Sequence, residues 1–128
     1  MRILIGLALA AACWAGGGGF WLTVHSASSA LGRETPDAAV LVSAEGCGRP
    51  ADVKLTGMAE GMVKGERRIV PLEIARTRQA GVWAVKKSGL GEGRWTLAIT
   101  AGLAGFRTST EVEWDSDGRY KVVRAARR

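Results

Sequence analysis

Histidine is almost missing from this chain of 128 residues, occurring only as His25. Cysteine appears twice, at Cys13 and Cys47, and proline three times. These shortages remove whole classes of chemistry. A serine or cysteine nucleophile needs a base, usually an imidazole, to act at neutral pH, and no histidine follows residue 25. No phosphate-cradling glycine loop, no G-x-G-x-x-G after a strand and no C-x-x-C pair occurs. Glu111 and Glu113 fall on the polar side of an alternating segment, where they read as solvated charge rather than a paired acid and base. The chain is therefore read as non-enzymatic. Long amphipathic helical runs are also lacking beyond the first thirty residues, whereas 18 glycines and a 47% hydrophobic content suit a compact β-rich chain.

The N-terminus is the most distinctive stretch. After Met1-Arg2, the run from Ile3 to Val24 carries no charge. It is long enough to cross a bilayer, which takes about 20 apolar residues, although four glycines at positions 16–19 weaken it as a helix. The block from Ile3 to Trp14 has the length of a signal-peptide core, and Ser28-Ser29-Ala30 offers small residues for a signal peptidase. Three fates are open. Cleavage after Ala30 would leave 128 − 30 = 98 residues; residues 3–24 could stay as a membrane anchor; or Leu9-Ala10-Ala11-Ala12-Cys13 could serve as a loose lipobox with Cys13 lipidated. Each puts the rest of the chain on the far side of a membrane, periplasmic or secreted. The expected organisation is a signal peptide or membrane anchor over 1–30, a polar linker over 31–38 and one Ig-like domain over 39–128. Without the leader only Cys47 remains, so no internal disulfide is available.

Beyond the linker, seven segments have strand character, separated by turn signals. They are Ala39–Ala44, Asp52–Ala59, Arg68–Ala75, Gly81–Lys87, Gly93–Ala101, Gly105–Trp114 and Arg119–Arg124. Period-two alternation puts Trp95, Leu97 and Ile99 on one face, and Phe106, Thr108, Thr110, Val112 and Trp114 on another. Lys64-Gly65 and Asp117-Gly118 read as hairpin turns. Pro71, lacking an N–H, assigns its segment to a sheet edge. Short strands with one buried face each predict an all-β fold, a seven-stranded Ig-like antiparallel β-sandwich behind a hydrophobic helix. Trp83, Trp95, Phe106 and Trp114 are its expected core anchors.

The stretch from Gly81 to Thr100, G-V-W-A-V followed by G-x-G-x-W-T-L, resembles the hairpin of the YtkA-like and related Ig-like domains of bacterial envelopes. The likeness extends loosely from Val40, through EGCGRPADVKLTG and VPLEI. It implies a β-sandwich and an envelope location. Some relatives of such domains are associated with copper or with oxidase assembly, and their metal-binding members use His or Met.

One ligand set is available for a soft metal. Cys47, Met58 and Met62 are thiolate and thioether donors of the kind that select Cu(I), all lying between the first strand and the Lys64-Gly65 turn. The alternatives are a small buried thiol, or one that pairs between chains, and two methionines filling a hairpin surface. The basic residues exceed the acidic ones by 18 to 12. Their clusters, Arg67-Arg68, Lys86-Lys87 and the tail with Arg124, Arg127 and Arg128, lack the interleaved aromatics of a nucleic-acid groove. No nucleic acid is expected as partner. An envelope protein is, with anionic membrane or polymer as the alternative for the basic clusters.

Overall fold

The computed structural model describes residues 20–28, 35–46 and 52–127. Nine strands form there: β1 Trp21–Ser26, β2 Ala38–Glu45, β3 Lys54–Val63, β4 Glu66–Pro71, β5 Ile74–Arg76, β6 Val82–Lys86, β7 Arg94–Leu103, β8 Phe106–Asp115 and β9 Tyr120–Arg127. They make two antiparallel sheets, one in the order β1-β2-β6-β5 and the other β4-β3-β7-β8-β9.

The alternation read along the chain decides which face each strand buries. On β7, Trp95, Leu97, Ile99 and Ala101 are buried. Their neighbours Arg94, Thr96, Ala98 and Thr100 are exposed or half-exposed. On β8, Thr108, Thr110, Val112 and Trp114 are buried in the same way. Trp95, Leu97 and Ile99 of β7 and Val112 and Trp114 of β8 meet Val40 and Val42 of β2, Ala59 of β3 and Val85 of β6 in one cluster, so the two sheets pack across an apolar core. A second cluster joins Phe20, Val53, Trp83 and Ala101. Gly61 of β3 is small for a reason: a Cβ there would lie 2.7 Å from the Trp95 ring.

Strands β2 and β6 are buried on both sides. Ala38 to Ser43 and Val82 to Val85 are continuous buried runs, and Leu41 sits opposite Ala84 in a small cluster with Ala38 and the half-buried Ala27.

Three sequence expectations need correction. The hydrophobic helix does not extend through residues 20–26: Phe20 is buried in the core, and Trp21–Ser26 is a strand paired with β2 from Trp21↔Glu45 to Ser26↔Val40. The apolar run Phe20 to Val24 reads equally well as a buried strand, and period alone does not separate the two. Second, the strand expected over Arg68–Ala75 is split. It runs as β4 in one sheet until Pro71, crosses at Leu72-Glu73, and continues as β5 in the other sheet. Val70, Leu72 and Ile74 all pack against the core, as the alternation required. Third, nine strands replace seven, the additions being β1 and the separate β5. Residues 3–19, with Cys13, and residues 31–34 of the expected linker lie outside the described residues.

Two hairpins use adjacent positive-φ residues. Lys64 and Gly65 (φ 52° and 80°) join β3 to β4, and Ala104 and Gly105 (φ 48° and 89°) join β7 to β8, the backbone of a two-residue type I′ turn.

The two largest core side chains on the β7–β8 ladder, Trp95 and Trp114, are paired in register but differ in polar satisfaction. Trp95 Nε1 donates to the Gly91 carbonyl at 2.9 Å, whereas the buried Trp114 Nε1 has no partner. An orphaned buried donor costs about 1–3 kcal/mol, so removing it offsets part of the packing energy lost on truncation. Trp114→Phe is therefore expected to cost about 1 kcal/mol less than Trp95→Phe; urea unfolding of both variants measures the difference, and equal losses would contradict it.

Candidate binding face

The outer face of the five-stranded sheet combines exposed apolar side chains with charge. Its pattern follows from register. One row runs Pro71, Met58, Ala98, Glu111, Arg124 across β4, β3, β7, β8 and β9. The next runs Ile69, Glu60, Thr96, Glu113, Lys121. Neighbouring strands lie about 4.8 Å apart, so Met58, Ile69 and Pro71 form one apolar corner at the β3–β4 edge. Met58 is 45% exposed, Ile69 54% and Met62 59%. Large apolar side chains so exposed, and adjacent, mark a surface suited to contact.

Charge frames this corner. Arg67 Nη2 donates to Glu60 Oε1 at 2.6 Å, and that hydrogen bond, with the carboxylate's charge, raises the Arg67 pKa. A shallow groove beside Met62 is lined by Glu60, Arg67, Arg94, Thr96 and Glu113. At the far corner, Arg94 Nε lies 4.0 Å from Asp115, and Arg119 grips Asp117 in the β8–β9 turn through Nε at 2.9 Å and Nη2 at 2.7 Å.

The sulfur donors are distributed differently from a compact ligand set. Met58 and Met62 stand on the same exposed face of β3, four residues apart, with Glu60 between them; at about 3.3 Å per residue their backbones are about 13 Å apart. Cys47 lies outside the described residues. Among the described residues no group of three or more His, Cys, Asp or Glu side chains is placed to hold a metal ion.

The basic clusters do not merge. Arg67 faces outward beside Met62, while Arg68 is paired with Gly61 and so takes the opposite side of the pleat. Lys86 Nζ lies 3.6 Å from Glu73 at the other sheet, and Arg124 is on β9. Arg128 is outside the described residues.

His25, which sequence reasoning assigned to the leader, belongs to β1. Its Nε2 lies 2.8 Å from Ser43 Oγ, and that hydroxyl donates to Glu45 Oε1 at 3.0 Å. With the hydroxyl proton committed to Glu45, His25 Nε2 acts as the donor. Serine stands between histidine and carboxylate here, whereas nucleophile activation puts histidine in the middle. The chain of bonds ties β1 to β2. Among the described residues no helix is long and apolar enough to cross a membrane.

The hydrogen bond from the Arg119 side chain, then that from its backbone N–H, holds the exposed Asp117 carboxyl below the usual range. A depressed folded value stabilises the turn above the ordinary carboxylate pKa, and this is lost as pH falls through the lowered value. Arg119→Gln is expected to raise the Asp117 pKa back toward the ordinary carboxylate range, read by NMR titration of the carboxyl carbon; an unchanged midpoint would contradict the pairing.

Compared with known protein families, with curated proteins and with solved structures, the chain gives no match.

Proposed function

We propose that this chain is an exported, non-enzymatic binding or accessory module of Ig-like architecture in the bacterial cell envelope. It meets a protein partner with the Met58, Met62, Ile69 and Pro71 corner of its five-stranded sheet. The exposed apolar corner carries the reading. Its side chains stand in a regular, well-packed strand pair where polar residues would serve solubility better, and exposed apolar side chains clustered on one face suit contact with a partner. Methionine suits this role because its flexible, polarisable side chain adapts to the surface it meets.

The strand order supports the Ig-like part. β1-β2-β6-β5 follows the A-B-E-D order of such sandwiches, and β4-β3-β7-β8 follows C′-C-F-G, with β9 added at the end. The cluster between β2 and β7 is apolar, with Val40 and Val42 beside Leu97 and Ile99, so the domain is held by its core. The uncharged N-terminal run supports export.

The test is photocrosslinking in the native compartment. A photoreactive residue at position 69 of the full chain forms one discrete protein adduct, and Met58→Lys abolishes it while changing stability by no more than about 0.5 kcal/mol, as surface substitutions do. Adducts only with lipid, or adducts equally strong from position 107 across the sheet, would contradict this surface as the contact.

A further inference from the structure

The strand made by Trp21–Ser26 carries a consequence for how the N-terminus is processed. Phe20 is 2% exposed and sits with Val53, Trp83 and Ala101. Leu22 packs against both core clusters and Val24 against the larger one. Trp21 covers Gly46, whose positive φ of 84° and lack of a Cβ let the ring lie against the backbone. His25 is bonded to Ser43. Six residue pairs join β1 to β2, and β1 also touches β8 and β9 of the facing sheet. Both faces of this strand and its paired edge are tied to the domain.

We propose that the boundary between leader and domain lies before Phe20, and that Ser28-Ser29-Ala30 is not a peptidase site, since the first strand and the Ala27-Ser28 turn that follows it belong to the domain. The existence of a processing event rests on the export reading above; the position of the boundary rests on β1. A cut after Ala30 would remove Phe20 from the core and strip β2 of one neighbour. The alternate N–H and C=O groups of a strand buried on both faces would then be unpaired, at a cost for each. It would also create an open apolar edge of the kind folded proteins avoid. The sequence offers earlier alternatives. Ile3 to Leu9 is a seven-residue apolar core followed by Ala10-Ala11-Ala12, which meets the small-residue requirement of a leader peptidase. Retention of the whole N-terminus as an anchor keeps β1 equally well.

Two measurements on the full chain, expressed with its own N-terminus, test this. The first is intact mass of the folded protein from exported and cytosolic fractions. A start at or before Phe20 is expected, and a folded exported species starting at Leu31, 98 residues long, would overturn the proposal. Recovery only from the cytosol would sink the export reading and leave the strand to the second measurement. There, Leu22→Ala with Val24→Ala in the purified full chain is expected to lower Tm by about 5 °C or more, or to prevent folding, either of which agrees with a strand of the domain. An unchanged Tm would overturn it, since side chains of a dispensable leader contribute nothing to the domain's stability.

Discussion

Everything in this molecule depends on one apolar contact between sheets, the β7 row Trp95, Leu97 and Ile99 beside Val40 and Val42 of β2 and Val85 of β6. Full burial of a Leu, Ile or Val side chain is favourable by about 1.5–3 kcal/mol, and within the described residues no disulfide adds to it. Each sheet therefore has to keep strict alternation where it faces the other. That requirement fixes the register of β3, β7 and β8. At Pro71 the chain leaves one sheet and enters the other, and Val70, Leu72 and Ile74 keep facing the core across the crossing.

The same constraint shapes the surface. Once odd positions of β7 and even positions of β8 are committed inward, Thr96, Ala98, Glu111 and Glu113 have to face out. The outer face thus inherits whatever residues alternate with the core. On β8 these are charged or polar, as solubility favours. On β3 and β4 they include Met58, Met62 and Ile69, which the packing inside does not require. Side chains free of any duty in the core, yet apolar, are where the argument for a contact surface gains its force. The proposal that the domain is a binding module rests on that contrast, with the charged pair Arg67–Glu60 set among them.

Much of the fold was legible in the sequence because its strongest signals are local. Alternation along Trp95–Ile99 and Phe106–Trp114 named the buried faces correctly, and Lys64-Gly65 and Asp117-Gly118 marked two turns. Pro71 announced an edge strand, and β4 is one. What alternation could not show is where the chain changes sheet, because Val70, Leu72 and Ile74 keep one phase across the crossing. Phe20 to Val24 was illegible for a different reason. A continuous apolar run beside a leader-like sequence has the composition of a leader, and only its pairing with β2 separates the two. That misreading also removed His25 from consideration. The candidate face was half legible: Met58 and Met62 stood out as sulfur donors, but Ile69 and Pro71 join them only through the β3–β4 register, a long-range fact that periodicity does not contain.

The account stands on β2 being an interior strand with β1 on one edge and β6 on the other. Amide hydrogen exchange of the folded full chain tests this directly, since successive amides of an antiparallel strand point to opposite neighbours. Slow exchange at consecutive residues from Val40 to Ala44, comparable to β7, is the predicted result. Fast exchange at every second residue of that stretch, with slow exchange at the others, would mean that β2 has only one partner and would contradict the fold described for the N-terminal strand.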